Sequence, residues 1–590
     1  MNGFAWGDEG GPASNPGKLG AQQEPRLPSG GLTCIRSRDG RWVCTVNVPS
    51  LYLPPQLPTT PDCCKPHTLP SSLTPVTAMS TSSSERGENN GLLASGAGGN
   101  GAAHNSLGTS PEDVLLLEAH SLTIRDDSVT ITDRRKASKK RDAAACCGTV
   151  AASNGLLDSN VSLHSVLWAR VYIGESKSAI QIIHAHVQGK ANPETIAVPI
   201  QDGDLEKADR WVERLLERAY EGSQQAKRFK VLINPHGGPG TAEKIYKTEI
   251  EPIFTAASCS VDVELTQYVQ HAIKIAQEID IDAYDAIVCV SGDGVPHEVF
   301  NGLGKRPDAK KALNKLAVCQ LPGGSGNGMC WSFTGTDNPS LAAVALVKGK
   351  RTHFDLVSVT QGDERILSFL SQSVGLTAEL DLGTENMRWM GNTRFTVGFL
   401  QRVITERIYP AEVYVKLAID NKEDIRRHAS IAHAPPPAVD HSEEADGGLP
   451  PLQYGSIKDD VPEDWVLESH PKMGNFYCGN MICMSKDIHF FPAAKPNDGH
   501  MDLAIMDGDV GRMKAVSIML GAETGKHFDV PELNYRKVLA YRFTPKNQKD
   551  GYISIDGEKV PFAPFQAEIH HGLGMSLSLR QNVYEGPILT

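Results

Sequence analysis

The chain has 590 residues, and its 58 Lys and Arg against 70 Asp and Glu leave a net charge of −12 with His neutral. At roughly 100–200 residues per domain, that length predicts about three domains. The acidic balance excludes a general nucleic-acid coat, which needs a positive field to release counterions from phosphates, so no nucleic-acid partner is expected. The longest apolar runs, such as the one around Ile287–Val290, fall far short of the ~18–20 residues that span a bilayer. No signal peptide opens the chain, and Asn2 stands where N-myristoylation needs glycine. Twelve Cys without a secretory signal read as reduced thiols. A cytoplasmic protein is expected, with any membrane contact peripheral and on the cytosolic face.

Residues 1–110 are rich in Gly, Pro, Ser and Thr and lack sustained hydrophobic periodicity. Such a stretch cannot bury enough apolar surface to offset its ordering entropy, so a disordered low-complexity tail is expected. Gly96-Ala-Gly98-Gly-Asn-Gly101 satisfies the G-x-G-x-x-G fingerprint, but without a preceding strand and a following helix the match is accidental.

Over 112–222, β-branched runs at Leu122–Ile124, Val129–Ile131, Val166–Trp168, Ile180–Ile182 and Ile196–Val198 predict short strands. Leu205, Ala208, Val212, Leu215 and Ala219 then recur near helical spacing behind Asp204, a candidate N-cap. Strands closed by one amphipathic helix suggest a small pleckstrin-homology-like β-domain. Within it lies the basic run Arg134–Arg141, closely followed by Cys146 and Cys147. Six Lys and Arg in eight residues can attract an anionic leaflet, and the cysteine pair is a candidate for palmitoylation, the second signal that stable anchoring needs. The competing reading is a solvated loop with two inert thiols.

Residues 228–353 alternate strand and helix. Phe229–Ile233, Val261–Leu265, Asp285–Val290 and Leu316–Gln320 are buried-strand runs, and amphipathic stretches separate them. That alternation predicts an α/β domain with a mainly parallel sheet and crossover helices. Ligands of such sheets bind beyond the carboxyl ends of the strands. From 354 to 590 the pattern is mainly strand-like, through Asp355–Thr360, Ile366–Ser371, Glu412–Ile419, Phe476–Cys483, Met501–Met506, Tyr541–Thr544 and Tyr552–Ile555. An antiparallel β-sandwich is expected there, interrupted over 424–465 by a Pro- and acid-rich insert that reads as exposed and disordered.

Three Gly-rich turns close successive strands of the α/β region: Asn234-Pro235-His236-Gly237-Gly238-Pro-Gly240, Ser291-Gly292-Asp293-Gly294, and Pro322-Gly-Gly324-Ser325-Gly326-Asn327. Glycine lets backbone N–H groups approach phosphate oxygens as an anion-binding nest, and helices starting behind each turn add positive dipole ends. One such turn is ordinary βα geometry; three at successive strand ends speak against a purely structural reading and for a phosphate cradle. The chain has no Walker A sequence: Gly521–His527 is one residue short and carries His where Ser or Thr holds Mg²⁺. The pair His184 and His186, and the pair Cys478 and Cys483, lack a zinc spacing, and the metal ligands stay unknown.

The order N-P-x-G-G-x-G, S-G-D-G-x-x-H-E-x-x-N-G and P-G-G-S-G-N-G resembles the diacylglycerol-kinase-type catalytic domain. The Ser-Gly-Asp-Gly form with His297-Glu298 and Asn301-Gly302 is most similar to the sphingosine (long-chain base) kinases, of the fungal or plant type with a long N-terminal extension. The resemblance covers about 228–580 apart from the insert. It implies an ATP- and Mg²⁺-dependent kinase that phosphorylates the primary hydroxyl of sphingoid bases, with Asp293 as general base. It further implies nucleotide contacts from the three turns, Thr266, Glu298, Arg388, Arg394 and the Asp556-Gly557-Glu558 segment. Asp381 would pair with the substrate's amino group, since a carboxylate selects an ammonium-bearing lipid over a neutral one. Beside these stand plainer readings: a turn for Asp293, a surface strand for Asp381, a hairpin for Asp556 and Glu558, salt bridges for the arginines, and a helix cap for Glu298. Departures from the family pattern are His236 and Pro239 in the first turn, and Gln267 for an acid after Thr266.

The alternative activity on the same fold is ceramide or diacylglycerol phosphorylation, and a catalytically silent membrane adaptor is the reading from another class. The preferred base, the membrane visited and the oligomeric state, homodimer included, stay open.

Overall fold

The computed structural model describes residues 32–36, 42–46, 110–134 and 159–579, except 176, 325, 385–397, 399–406, 432–446 and 486–487. Residues 1–101 form a unit of their own. In it β1 (Leu32–Arg36) and β2 (Trp42–Val46) pair antiparallel, with Leu32 opposite Val46. This hairpin corrects the expectation of a structureless tail: two β-branched runs flank an Asp39-Gly40 turn signal. The rest of that tail, the basic run beyond Arg134, and Cys146 and Cys147 lie outside the described residues.

The second unit, 102–590, opens with four antiparallel strands, β3 (Val114–Leu116), β4 (His120–Ile124), β5 (Ser128–Asp133) and β6 (Ser159–Ser162). A three-stranded meander follows: β7 (Val166–Ile173), β8 (Ser178–Gln188) and β9 (Lys190–Ile200). Helix α1 (Leu205–Tyr220) closes this region and buries Ala208, Trp211, Val212, Leu215 and Ala219, the stripe its spacing predicts. Asp204 precedes it without a side-chain cap bond; its carboxylate pairs with Lys207 at 3.6 Å instead.

The parallel sheet has four strands, β10 (Arg228–Ile233), β11 (Ser260–Leu265), β12 (Ala286–Ser291) and β13 (Ala317–Pro322), in the order β11-β10-β12-β13. Every residue of β12 and β13 is buried, as continuous apolar runs covered on both faces should be. Helices α2 (Ala242–Ile245) and α3 (Glu251–Ala256), joined through a π-helical turn, then α4 (His271–Glu278), α5 (Gly294–Gly304) and α6 (Ala309–Lys315) make the crossovers. After β13 come α7 (Gly328–Thr334) and α8 (Pro339–Lys348). Lys348 ends α8, donates to Ala219 O at 3.0 Å and lies 4.0 Å over the Tyr220 ring, tying α1 to this region.

The remaining strands are β14 (Lys350–Gln361), β15 (Glu364–Ser368), β16 (Ser371–Gly375), β17 (Ala411–Ile419), β18 (Val466–His470), β19 (Met473–Gly479), β20 (Met501–Asp507), β21 (Leu533–Pro545), β22 (Ile553–Ile555), β23 (Glu558–Val560) and β24 (Phe565–Ser578). They hydrogen-bond into one antiparallel sheet rather than two separate ones. Long strands with register shifts, at Phe354/Leu356 in β14 and twice in β17, let it bend around a common core of Val359, Val374, Val413, Phe476, Tyr541 and Phe565. Among the described residues three α-helices interrupt the strand pattern: α9 (Leu376–Leu382), α10 (Lys422–Ser430) and α11 (Arg512–Gly521).

The insert expected to be disordered is ordered on both flanks. Residues 424–430 belong to α10, and 447–465 strap across the sheet. Gln453 and Tyr454 N–H groups donate to the Glu568 carboxylate at 2.8 and 2.9 Å, Ile457 N–H to Thr360 Oγ1 at 2.9 Å, and Trp465 is buried. Composition hides this order because its polar anchors, Thr360 and Glu568, are distant residues of the sheet.

Candidate active site

All three Gly-rich turns lie at the carboxyl ends of parallel strands. Asn234 donates its N–H to Val290 O at 3.2 Å, which joins the first turn to β12, and its side-chain oxygen accepts the His236 N–H at 3.0 Å. Gly238 and Gly240 take positive φ, 54° and 70°. Thr266, behind β11, donates its N–H to Ile233 O at 2.9 Å. The second and third turns interlock. A Cβ on Gly324 would sit 2.4 Å from both Cα and N of Gly292, and Asn327 closes the third turn through both atoms of its amide to Gly324. Ser325, in the same turn, lies outside the described residues.

Asp293 joins β12 to α5. Its carboxylate turns toward α7, accepting the Gly328 N–H at 2.9 Å and the Met329 N–H at 3.0 Å. Burial raises its pKa above the usual carboxylate value; the two N–H groups oppose that rise, and the Asp556 charge adds to it. An oxygen held this way keeps lone pairs for a further donor. Gln320 on β13 steadies the same corner, accepting the Cys330 N–H at 2.8 Å.

The Asp556-Gly557 pair forms the two-residue turn of the β22–β23 hairpin, with Ile555 opposite Glu558 and φ of 52° and 87° at its centre. That geometry corrects the nucleotide contact expected of Asp556. Its side chain is fully buried and accepts from Ser368 Oγ, the N–H groups of Phe369, Leu370 and Ser371, and His297 Nδ1, all at 2.6–3.0 Å. The strand expected over Ile366–Ser371 breaks between β15 and β16 because these N–H groups point to Asp556 instead of a neighbouring strand. The hairpin tip carries the exposed residues. Glu558 Oε1 is 3.1 Å from where a Cβ on Gly294 would stand, and Asp381 Oδ2 is 3.5 Å from the same position on Gly557. Asp381 lies on α9, not on a strand, and accepts from Ser554 Oγ at 3.1 Å. Asp293, Glu558 and Asp381 therefore flank one tip. Glu298 is placed elsewhere: its oxygens accept the N–H groups of Gln270 and Ala272, each at 3.0 Å, so it caps α4. Arg388 and Arg394 lie outside the described residues.

Sequence reasoning did not assign His297 a role. His297 and Asn301 share a face of α5, and Asn301 bonds both N–H and C=O of Leu367 while His297 holds Asp556. The i, i+4 spacing inside the second motif was the available signal. Burial alone would lower the His297 pKa, but the hydrogen bond and charge of Asp556 outweigh it and hold it above 6.5. A raised histidine contributes stability that is fully present below about pH 6.5 and lost as pH rises through its folded value. Thermal melts of His297→Gln should trail wild type most at pH 6 and least at pH 9. A gap independent of pH would mean the imidazole is neutral.

These features define a class: a Gly-lined cradle at the end of a parallel sheet, joined to an antiparallel domain that supplies carboxylates. A family model described as the diacylglycerol kinase catalytic domain matches residues 228–359, and one described as a domain of unknown function matches 113–221. Sphingoid long chain base kinase 4 of Schizosaccharomyces pombe is 33% identical over 443 residues, 74% of this chain and 91% of that protein. Sphingoid long chain base kinase 5 of Saccharomyces cerevisiae is 37% identical over 427 residues, 63% of this chain and 62% of that protein. Among solved structures, a diacylglycerol kinase from Bacillus anthracis str. Sterne aligns with TM-score 0.42 and 15% identity over 60% of this chain and 98% of its own. The chain belongs to the sphingoid long-chain base kinase family.

Proposed function

We propose that the chain transfers the γ-phosphoryl group of ATP to the primary hydroxyl of a sphingoid long-chain base, with Asp293 as general base. One observation carries this: a carboxylate with a raised pKa stands where two interlocked Gly turns meet, beside a hairpin tip that also faces Asp381. The N–H groups of the three turns bind and orient the phosphates, as backbone nests do. Arg388 and Arg394 are proposed to neutralise charge there. The carboxylate of Glu558 is an oxygen donor that suits Mg²⁺, and the ion would supply charge neutralisation on the transferring phosphoryl group. Asp293 accepts the proton of the attacking hydroxyl and stays oriented by Gly328 and Met329 N–H throughout.

Asp381 pairs with the substrate ammonium, and Ser554 fixes its rotamer. Charge-assisted hydrogen bonds contribute about 1.5–3 kcal/mol, so Asp381→Asn should raise KM for sphinganine by about 10–100-fold and change kcat by less than about threefold. An assay with labelled ATP, Mg²⁺, sphinganine, phytosphingosine, ceramide and diacylglycerol tests both assignments. Preference for a neutral lipid would replace the substrate reading and leave the fold standing.

We also infer a peripheral role for the N-terminal β-region, which has seven strands in two antiparallel sheets closed by α1, an arrangement that suits a pleckstrin-homology-like domain. Among the described residues no helix is long and apolar enough to cross a membrane. Palmitoylation at Cys146 and Cys147 predicts that Cys146→Ser/Cys147→Ser pellets less with membranes than wild type; equal pelleting counts against it.

A further inference from the structure

Helix α10 packs Ile425 and Ala429 into a cluster with Tyr477, Ala504, Phe528 and Tyr535 on the outer face of the C-terminal sheet. Its last turn presents His428 to the loop that enters β20, which carries Asp498 and His500. His428 Nε2 is 3.0 Å from Asp498 Oδ2, and His500 Nδ1 is 3.5 Å from Asp498 Oδ1. The rings stand edge to face with centroids 5.1 Å apart, and the three ligand atoms all lie within 4.8 Å of one another. His500 Nδ1 is buried and makes no hydrogen bond. The two imidazoles are 19% and 21% exposed while the Asp498 side chain is fully buried, so the rings are the edge that solvent reaches.

Lys537 donates to Asp498 and Asp502, 2.9 Å to each, and all three side chains are fully buried. The Asp355 carboxylate accepts the N–H groups of Gly499 and Gly572 at 2.7 Å each, and Tyr535 donates its hydroxyl to Asp502 at 2.8 Å. Asp498 is the carboxylate that faces the two imidazoles. Two imidazole nitrogens and one carboxylate oxygen are zinc-type donors, and imidazole discriminates against Mg²⁺ and Ca²⁺, which prefer oxygen. Zinc bonds of about 2.0–2.2 Å in a tetrahedron separate ligand atoms by roughly 3.3–3.6 Å, and the 3.5 Å between His500 Nδ1 and Asp498 Oδ1 fits as it stands.

We propose that His428, Asp498 and His500 form a zinc-class divalent metal site that pins helix α10 to the C-terminal sheet. Lys537 occupies Asp498 Oδ2, so the metal takes Oδ1, and the ammonium makes the site weaker than one without it. The site shares no residue with the phosphate cradle, so it does not depend on the kinase reading.

The test uses the untagged full chain, stripped with a chelator and titrated with Zn²⁺ against a chromogenic competitor in millimolar Mg²⁺. Wild type should take up one equivalent more than His428→Ala or His500→Gln, and zinc should raise its melting temperature by several degrees without moving either variant. Equal uptake by all three proteins with no differential shift overturns the proposal; the imidazoles would then serve only as donors to Asp498. Should both variants fail to fold, Co²⁺ added to wild type decides. Intense tetrahedral absorption without the charge-transfer band of thiolate ligands supports the site, and its absence overturns it.

Discussion

Asp293→Asn is expected to lower kcat by about 10²–10⁴-fold, the contribution of a positioned general base, with little change in KM for ATP. Asp293 also accepts two N–H groups at the start of α7, one on each carboxylate oxygen. Asn keeps one acceptor and sets its NH2 against the other N–H, so a modest loss of stability is expected beside a collapse of turnover by orders of magnitude. Asp293→Ala removes the cap as well and should lose roughly 1 kcal/mol of stability in addition. The pH profile gives an independent reading. The Asp293 pKa is raised by burial, so the acid limb of kcat/KM should fall above the ordinary aspartate range and be absent from any residual activity of the variant. A variant keeping a tenth or more of wild-type turnover, with the same acid limb, would sink the assignment.

The α/β core was legible because its signals are local. β12 and β13 are buried along their whole length and end in Gly-rich turns, and a run buried on both faces needs no knowledge of its neighbours to be read. The role of Asp556 was not legible. Asp556 and Glu558 are equally polar in sequence, and the positive φ at both central positions of the hairpin turns Asp556 inward and leaves Glu558 outside. Its five donors include His297, which is 259 residues away in sequence. The strap over 447–465 escaped for the same reason: its anchors at Thr360, Arg542 and Glu568 are far off in the chain. That Asp381 sits on a helix was not legible, because α9 has only seven residues, too few for a helical period to show against strands on either side. His428 and His500 meet only when α10 docks on the sheet, so no spacing rule would have joined them.

Gly324→Ala should be the most damaging change of one small residue for another in the cradle. The added Cβ would stand 2.4 Å from Cα and N of Gly292, and both are backbone atoms that cannot rotate away. Overpacking usually costs about 1–3 kcal/mol because neighbours move; here the movement is of the turn that carries Asp293. The second and third turns must separate, which dismantles the nest and displaces the base together. Activity should fall by at least about 10³-fold, more than removal of one preorganised donor costs, with ATP binding lost as well. Gly326→Ala gives a graded comparison. Its Cβ would meet Asp293 Oδ2 at 3.1 Å, a side-chain atom able to give by a few tenths of an ångström, so a loss of about 10-fold is expected through misaligned proton transfer. Gly203→Ala, which meets nothing within 4 Å, serves as the neutral control. The order Gly324, Gly326, Gly203 should hold in kcat/KM, and isothermal titration with a non-hydrolysable ATP analogue should show binding lost only for Gly324→Ala. Near-normal nucleotide affinity in that variant would mean that the two turns can part without cost, and that the interlocked cradle is not where the phosphates bind.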